Sequence, residues 1–308
     1  MGRCNVVEHL KNRTSCAGIF LTMSDRHSLV IPLSPTVGSD AAVDRKDTAG
    51  LQDKTQRYPY DNISQLENEH FWFVVRNERI CSLIQKTLPD YQNADFLEIG
   101  SGTGNVLGYL YRNGFRNLTG YEIEEDGLRV SSQMYPEIKF EYNNLLNPTV
   151  ERKQFDAIGM FDCIEHFADE KEPLENVKSM MRPGSNLYLT VPAHDFLWSK
   201  IDELFGHYRR YTKKTLGKML QDNGFVNIRQ AYFMAPLVPL AVIHRRLKQY
   251  PDVLTETEIE ALLNRETSVP HPLINSIMLH LTRMEHRVMD MRDLNFGGSI
   301  ISVATFPG

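Results

Sequence analysis

The feature that most constrains the fold of this chain is a loop in which every second residue is a glycine. A short apolar run over 96–99 precedes the loop and predicts a buried parallel strand. The glycines are Gly100, Gly102 and Gly104, and apolar residues at helical spacing then predict a helix over 103–113. Because glycine has no side chain, a bulky ligand can lie directly against this stretch of main chain.

A second predicted strand, 118–122, ends on an acid that stands 18 positions after the last glycine (122 minus 104). In doubly wound folds, a carboxylate at the place of Glu122 lies where an adenosine ribose presents its hydroxyls. The spacing excludes two other nucleotide motifs. A dinucleotide fingerprint needs a glycine where Asn105 stands, and a Walker loop needs a lysine directly after Gly104.

The segment from Glu98 to Gly104 has the pattern Glu-x-Gly-x-Gly-x-Gly, which resembles motif I of the class I S-adenosylmethionine-dependent methyltransferases. The resemblance covers about residues 64–232 and the last strand. It implies an α/β fold with a doubly wound, seven-stranded, mostly parallel sheet, in which the final strand is antiparallel. It also implies that S-adenosylmethionine is the cofactor and that the chain is an enzyme that transfers its methyl group.

Strands and helices alternate along the chain, as in a parallel sheet with crossover helices. The predicted strands are 95–99, 118–122, 137–142, 155–161, 185–191, 225–232 and 299–306. The predicted helices are 64–88, 103–113, 126–134, 170–181, 212–222, 256–264 and a longer one that begins at 272. Two capping-box patterns, Ser64 with Glu67 and Thr255 with Glu258, mark predicted helix starts.

The same pattern divides the chain into four parts. Residues 1–57 lack a sustained hydrophobic period and are predicted to be a disordered tail. Residues 58–232 form the predicted cofactor-binding core, and 293–308 supply its final antiparallel strand. Residues 233–292 are predicted to be a helical insertion before that strand and a candidate cap over the substrate.

The resemblance places the cofactor on residues at the carboxyl ends of the first four strands and on the helix that precedes the sheet. These are Trp72, Arg76, Glu98, Gly100, Ser101, Gly102, Gly104, Glu122, Ile123, Asn144, Leu145, Phe161 and Asp162. The glycine loop and Glu98 would hold the methionine end, Glu122 both ribose hydroxyls, and Asn144 the adenine amino group. Phe161 and Asp162 would lie beside the transferring methyl group, with an aromatic residue and Arg76 over the cofactor carboxylate.

Three histidines are candidate catalytic bases: His166, His194 and His207. An imidazole with a pKa near 6.5 is a suitable proton acceptor. For His194 and His207, the alternative is a hydrogen-bonded histidine with a purely structural role. Asp162, Glu165 and His166 also resemble a metal-proximal pattern of ubiquinone-type O-methyltransferases. The alternative, which we predict, is a helix start without a metal.

Composition and charge limit the partners and the cellular location that are expected for the protein. The net charge of −5, with no extended basic run, argues against nucleic acid as a partner. The four cysteines have neither metal-ligand spacing nor disulfide density, which indicates a cytoplasmic protein. The longest apolar stretch, 231–243, is too short to span a bilayer, so no transmembrane segment is expected.

The expected acceptor is a small molecule, or a lipid- or sugar-linked one, methylated most readily on oxygen. Arg209 and Arg210 could bind an acidic substrate, or they form a solvated pair at a helix start. The competing function is a catalytically silent, cofactor-binding scaffold or partner subunit. Aminopropyl transfer is a third hypothesis, which His207, Arg209 and Arg210 argue against. A homodimer is a further expectation.

Overall fold

The computed structural model describes residues 59–147, 153–247, 254–266, 268–289 and 294–308, so the predicted tail over 1–57 lies outside the described residues. One seven-stranded sheet runs through this part of the chain. Its strands are β1 (Phe96–Ile99), β2 (Leu118–Glu122), β3 (Lys139–Tyr142), β4 (Phe155–Phe161), β5 (Met181–Pro192), β6 (Val226–Phe233) and β7 (Ser299–Thr305).

The strand order is β3-β2-β1-β4-β5-β7-β6. The first five strands pair in parallel, whereas β7 pairs antiparallel with both β5 and β6. The order reverses between β1 and β4, and the crevice at the carboxyl ends of such strands is where open α/β sheets bind ligands. The predicted fold class is confirmed, including the antiparallel final strand.

The helices among the described residues cover both faces of the sheet. They are α1 (Tyr60–Leu66), α2 (Phe71–Thr87), α3 (Asn105–Arg112), α4 (Glu125–Met134), α5 (Lys171–Ser179), α6 (Lys200–Leu204), α7 (Lys213–Asp222), α8 (Leu237–Leu247), α9 (Glu256–Glu266) and α10 (Pro272–Met289). Buried side chains of α5 and α7 pack on one face of the sheet, and those of α2 and α3 pack on the other.

The prediction of one helix over 64–88 is wrong, because the chain breaks between α1 and α2. Ser64 lies inside α1, where its hydroxyl donates to the Asp61 carbonyl, so it caps nothing. The Glu67 carboxylate instead accepts a hydrogen bond from the Thr103 hydroxyl of the glycine loop. The cap of α2 is His70, whose Nδ1 accepts the Trp72 N–H at 3.1 Å.

Two further predictions need correction after β4. The helix predicted over 170–181 ends at Ser179, and the strand predicted over 185–191 already begins at Met181. Residues 182–184, which were expected to separate the two, belong to an irregular start of the strand. Helix α8 was not predicted because two prolines interrupt its apolar run. Pro239 falls in the first turn, where a helix needs no N–H from it.

The insertion is anchored to the core at two places. The Asn275 side chain of α10 accepts the Phe71 N–H at 2.9 Å and donates to the Glu69 carbonyl at 2.8 Å. The buried Glu285 carboxylate accepts the N–H groups of Met234 and Ala235 just after β6. The predicted capping box at the start of α9 is confirmed by reciprocal hydrogen bonds.

Another face of α10 exposes a row of apolar side chains at alternating spacings of three and four residues. The row consists of Ile274, Ile277, Leu281, Met284 and Val288.

Within the described part of the chain, no helix is both long and apolar enough to cross a membrane.

Candidate functional site

The glycine loop lies at the carboxyl end of β1 and has the backbone conformation that its sequence indicates. The φ angles of Gly100, Gly102 and Gly104 are +71°, +54° and +77°, in the region that side chains rarely adopt. A Cβ atom added to Gly100 would stand 2.9 Å from the Cys163 sulfur, whereas one on Gly102 would meet nothing within 4 Å. Gly102 therefore faces open space, which is what a ligand-binding loop requires.

Glu122 lies at the carboxyl end of β2 and is only 5% exposed. Its Oε2 accepts the Gly102 N–H at 2.7 Å, and its Oε1 accepts the N–H groups of Ile123 at 2.8 Å and Glu124 at 3.0 Å. Burial raises the pKa of Glu122, and these backbone hydrogen bonds oppose the rise. Because a carboxylate offers about four acceptor positions, roughly one remains on Oε2 for a ribose hydroxyl.

Two buried polar groups beside the glycine loop lack a hydrogen-bond partner among the described residues. They are the Glu98 carboxylate, through Oε2, and the Ser101 hydroxyl. Burial raises the pKa of Glu98 well above its usual value; Arg76 opposes the rise, and Glu67 and Glu122 add to it. Buried polar groups normally have partners, so these two atoms indicate a polar ligand. The surrounding acids favour a cationic one.

Arg76 and Trp72 on α2 face the carboxyl end of β4. The Arg76 guanidinium donates to Asp162 Oδ2 at 2.6 Å and to the Phe161 carbonyl at 3.0 Å, and it lies 5.3 Å from the centre of the Trp72 ring. Thr190 also donates to Asp162, which has a φ of +51°. Arg76 thus joins α2 to the end of β4 with two of its five N–H donors. Its contact with a cofactor carboxylate stays a prediction.

Three further residues predicted to bind the cofactor, including Asn144 for adenine, follow the ends of β2 and β3. Ile123 is 47% exposed after β2, whereas Leu145 is buried in the core. The side-chain carbonyl of Asn144 already accepts the Leu146 N–H at 3.0 Å, so one of its two acceptor positions is used.

The three predicted catalytic histidines do not lie together as one group. The rings of His166 and His207 make an edge contact, with centroids 4.8 Å apart. His194 stacks against Phe196, Tyr232 and Phe296 instead, at centroid distances of 5.2, 5.0 and 5.0 Å. Desolvation and the nearby Arg210 lower the pKa of His194, and desolvation and then the His207 ring lower that of His166 to about 4.

The two arginines considered for an acidic substrate are engaged with carboxylates of the chain itself. Arg209 pairs with Glu170. Arg210 donates to both oxygens of Asp202, at 2.7 and 3.0 Å. Burial acts to raise the pKa of Asp202, but the hydrogen bonds from His207 and Arg210 outweigh it and hold the pKa below its usual value.

Sequence reasoning missed the importance of Glu67 and Asp202. Glu67 was assigned to a helix cap, yet it holds the glycine loop through Thr103. Asp202 caps α6 in a box with Ser199 and also binds His207 and Arg210. The spacing of Ser199 and Asp202 was the available signal, since it is that of a capping box.

Comparison with known proteins agrees with this geometry. The profile of a family described as "Methyltransferase domain" matches residues 71–230, which is more than half of the 308-residue chain. The chain belongs to this methyltransferase-domain family. The resemblance found in the glycine motif is thereby confirmed, and with it S-adenosylmethionine as the cofactor that the family uses.

Individual relatives are distant. EEF1A lysine methyltransferase 2 of Danio rerio is 31% identical over 32% of this chain and 48% of its own length. Demethylmenaquinone methyltransferase of Chlorobaculum tepidum is 20% identical over 43% of this chain and 54% of its own length. The chain thus spans about half the length of these two relatives. O-methyltransferase resE of Aspergillus sclerotiorum is 20% identical over 63% of this chain and 78% of its own length.

A solved structure shares the fold. It is a chain from the complex between the Haloferax volcanii Trm112 methyltransferase activator and a methyltransferase, with a TM-score of 0.52 and 14% identity. The match covers 81% of this chain and 94% of that one. At this identity the likeness concerns the fold alone.

Proposed function

We propose that this protein transfers the methyl group of S-adenosylmethionine to an oxygen of a small-molecule, lipid-linked or sugar-linked acceptor. One observation carries the proposal: Gly102 faces open space, and Glu98 and Ser101 of the same strand and loop have buried polar atoms with no partner among the described residues. S-adenosylmethionine fits such a site because its sulfonium and ammonium groups are cationic and it supplies an already activated methyl group.

The chain's own contribution is to bind and orient. Glu122, fixed by three backbone N–H groups, would hold the ribose, and Glu98 with the glycine loop would hold the methionine end. Asp162, fixed by Arg76 and Thr190, would lie beside the reacting groups. Holding two reactants in the right geometry is worth roughly 7–11 kcal/mol, so no nucleophile of the protein is required.

The choice of oxygen rests on two supports. The imidazoles of His166 and His207 lie together, and either could accept a hydroxyl proton. Three of the similar proteins are named O-methyltransferases, although another is a lysine methyltransferase. The aromatic surface of His194, Phe196 and Phe296 would suit a flat or apolar acceptor.

The test is to incubate the protein with methyl-labelled S-adenosylmethionine and a metabolite extract, and to identify labelled products by mass spectrometry. We expect the label in a hydroxyl-bearing compound as a methyl ether or ester. Label on nitrogen or carbon would contradict the choice of oxygen. Normal cofactor binding without any labelled product would favour a silent scaffold.

A further inference from the structure

Three potential metal ligands come together beside the carboxyl end of β4. Glu165 and His166 lie on a 3-10 turn, Ile164–His166, and His207 lies in the loop after α6. One ligand atom from each of the three lies within 4.8 Å of the others. Small side-chain adjustments could bring these atoms to the ligand distances of roughly 2.0–2.2 Å that a bound zinc ion has.

The Glu165 carboxylate is the strongest indication of a ligand. The residue is 0% exposed, and neither of its oxygens has a hydrogen-bond partner among the described residues. An unpaired buried carboxylate is strongly unfavourable. Arg76 and Arg210 are near, but Arg76 is paired with Asp162 and Arg210 with Asp202. Within the described part of the chain, Glu165 therefore has no ion-pair partner of its own.

Both imidazoles are held in an orientation that leaves a ring nitrogen for an ion. His207 Nδ1 lies 3.1 Å from Asp202 Oδ1, so its Nε2 carries the free lone pair when Nδ1 donates. His166 has a hydrogen bond with the Phe205 backbone, and this bond favours the protonated imidazole. A bond with that effect has an acceptor on the backbone side, so a ring N–H of His166 donates to the Phe205 carbonyl. Metal-binding histidines typically donate their second N–H to a carboxylate or a carbonyl in this way.

We propose that Glu165, His166 and His207 bind a divalent transition-metal ion, such as Zn²⁺ or Fe²⁺, at the acceptor side of the methyl-transfer site. Two imidazoles and one carboxylate favour these ions over Mg²⁺ and Ca²⁺, which prefer oxygen ligands. The proposal differs from our sequence-based prediction of a helix start without a metal, and the experiments below decide between the two.

The role of the ion rests on the proposed function. Three protein ligands leave at least one coordination position open. His166 is an exposed residue, so an acceptor can reach the ion from that side. An acceptor hydroxyl that binds there would have its pKa lowered by the ion, which makes the oxygen a better nucleophile. With the metal bound, the ion would take over the activation of the hydroxyl from His166 and His207, because both nitrogens of each ring are then engaged. Acceptors with a second oxygen in chelating position, such as catechols or hydroxy acids, fit this arrangement best.

The first measurement is metal content and Zn²⁺ or Co²⁺ titration of the chelator-treated full chain. We expect about one Zn²⁺ per wild-type chain, visible d–d absorption on Co²⁺ addition, and a higher unfolding temperature with Zn²⁺ but not with Mg²⁺. Glu165→Gln and His207→Gln should lose all three signals. His280→Gln, a change of an exposed histidine on α10, should keep them.

Glu165→Gln keeps the side-chain shape and removes the unpaired charge, so it should fold without metal. The proposal is overturned if the wild type binds Zn²⁺ no more tightly than a Kd of about 100 µM, or if both variants bind it as tightly as His280→Gln. A titration with S-adenosylmethionine separates the two proposals. Normal cofactor binding without metal binding refutes only the metal site, and absent cofactor binding in all variants refutes the proposed function.

Discussion

At the scale of single residues, the site is defined by acids that the fold has buried. Glu67, Glu98 and Glu122 are 7%, 2% and 5% exposed, and all lie around the glycine loop. Burial raises the pKa of each of them. Such an arrangement costs stability in the free protein and favours a ligand that brings positive charge.

Replacing Glu67 should change how stability depends on pH. Burial raises the pKa of Glu67 from 4.5 to about 7, so the folded state binds this proton more tightly than the unfolded chain. The resulting stability is complete below about pH 4.5 and is lost as the pH rises through 7. Glu67→Gln should therefore be more stable than the wild type at pH 8, by up to roughly 3 kcal/mol, with little difference at pH 4.

Urea unfolding of both proteins across this pH range provides the measurement. Glu69→Gln is the matched control, because Glu69 is exposed and its replacement should leave the pH profile unchanged. A Glu67→Gln profile parallel to that of the wild type would show that the buried carboxyl does not titrate in this range.

Gly102→Arg should abolish the binding of S-adenosylmethionine, because its side chain would fill the open space in front of the loop. We expect at least about a 100-fold loss of affinity by calorimetry, equivalent to roughly 2.7 kcal/mol. Gly224→Arg is the control. Gly224 also has a positive φ, +83°, and a Cβ there would meet nothing within 4 Å, but it follows the end of α7.

Both substitutions carry a similar backbone cost of about 1–2 kcal/mol, so only the blocked site distinguishes them. Unchanged affinity in Gly102→Arg would reject the proposed cofactor position. An equal loss in both variants would attribute the effect to backbone strain.

At the scale of elements, the ion pair between Arg76 and Asp162 joins α2 to the end of β4. The two side chains are 10% and 22% exposed, so removing one partner leaves a largely buried charge. Arg76→Ala should lower the free energy of unfolding by roughly 3 kcal/mol and raise the KM for the cofactor. Denaturant unfolding and initial-rate kinetics provide these two values.

Arg283→Ala is the control for that prediction. Arg283 of α10 pairs with Glu78, which lies on α2 as Arg76 does, but the Arg283 side chain is 48% exposed. Its loss should cost less than about 1 kcal/mol. Equal losses of unfolding free energy in Arg76→Ala and Arg283→Ala would mean that the burial of the pair between Arg76 and Asp162 adds nothing to its effect on stability.

At the scale of the whole molecule, the sheet connects the cofactor site to the rest of the core, since β1 pairs with both β2 and β4. A ligand that binds only the folded state stabilises it by mass action. At a concentration 100 times its Kd, S-adenosylmethionine should add roughly 2.7 kcal/mol to the free energy of unfolding.

Scanning calorimetry with and without cofactor measures this stabilisation. Gly102→Arg should show no increase in unfolding temperature, whereas Gly224→Arg should show the wild-type increase. An unfolding temperature of the wild-type protein that is the same with and without cofactor would contradict the proposed site.

Local chemistry made much of this architecture predictable. The glycine loop, Glu122 and the capping box at Thr255 were found because backbone freedom, strand ends and helix caps are encoded within a few residues. The strands were recovered for the same reason, because apolar runs between breakers need no distant information. The break between α1 and α2 escaped because Glu67 bonds to Thr103, which is 36 positions away.

The sequence by itself determined the family, the cofactor motif and the succession of strands along the chain, since these depend on patterns within short segments. Only the tertiary structure decided that Arg76, Arg209 and Arg210 are paired with acids, and that His207 meets Glu165 and His166 while His194 does not. The physical reason is that charge pairing and ligand clustering act through space. Segments far apart in the chain determine them, and spacing along one segment cannot reveal them.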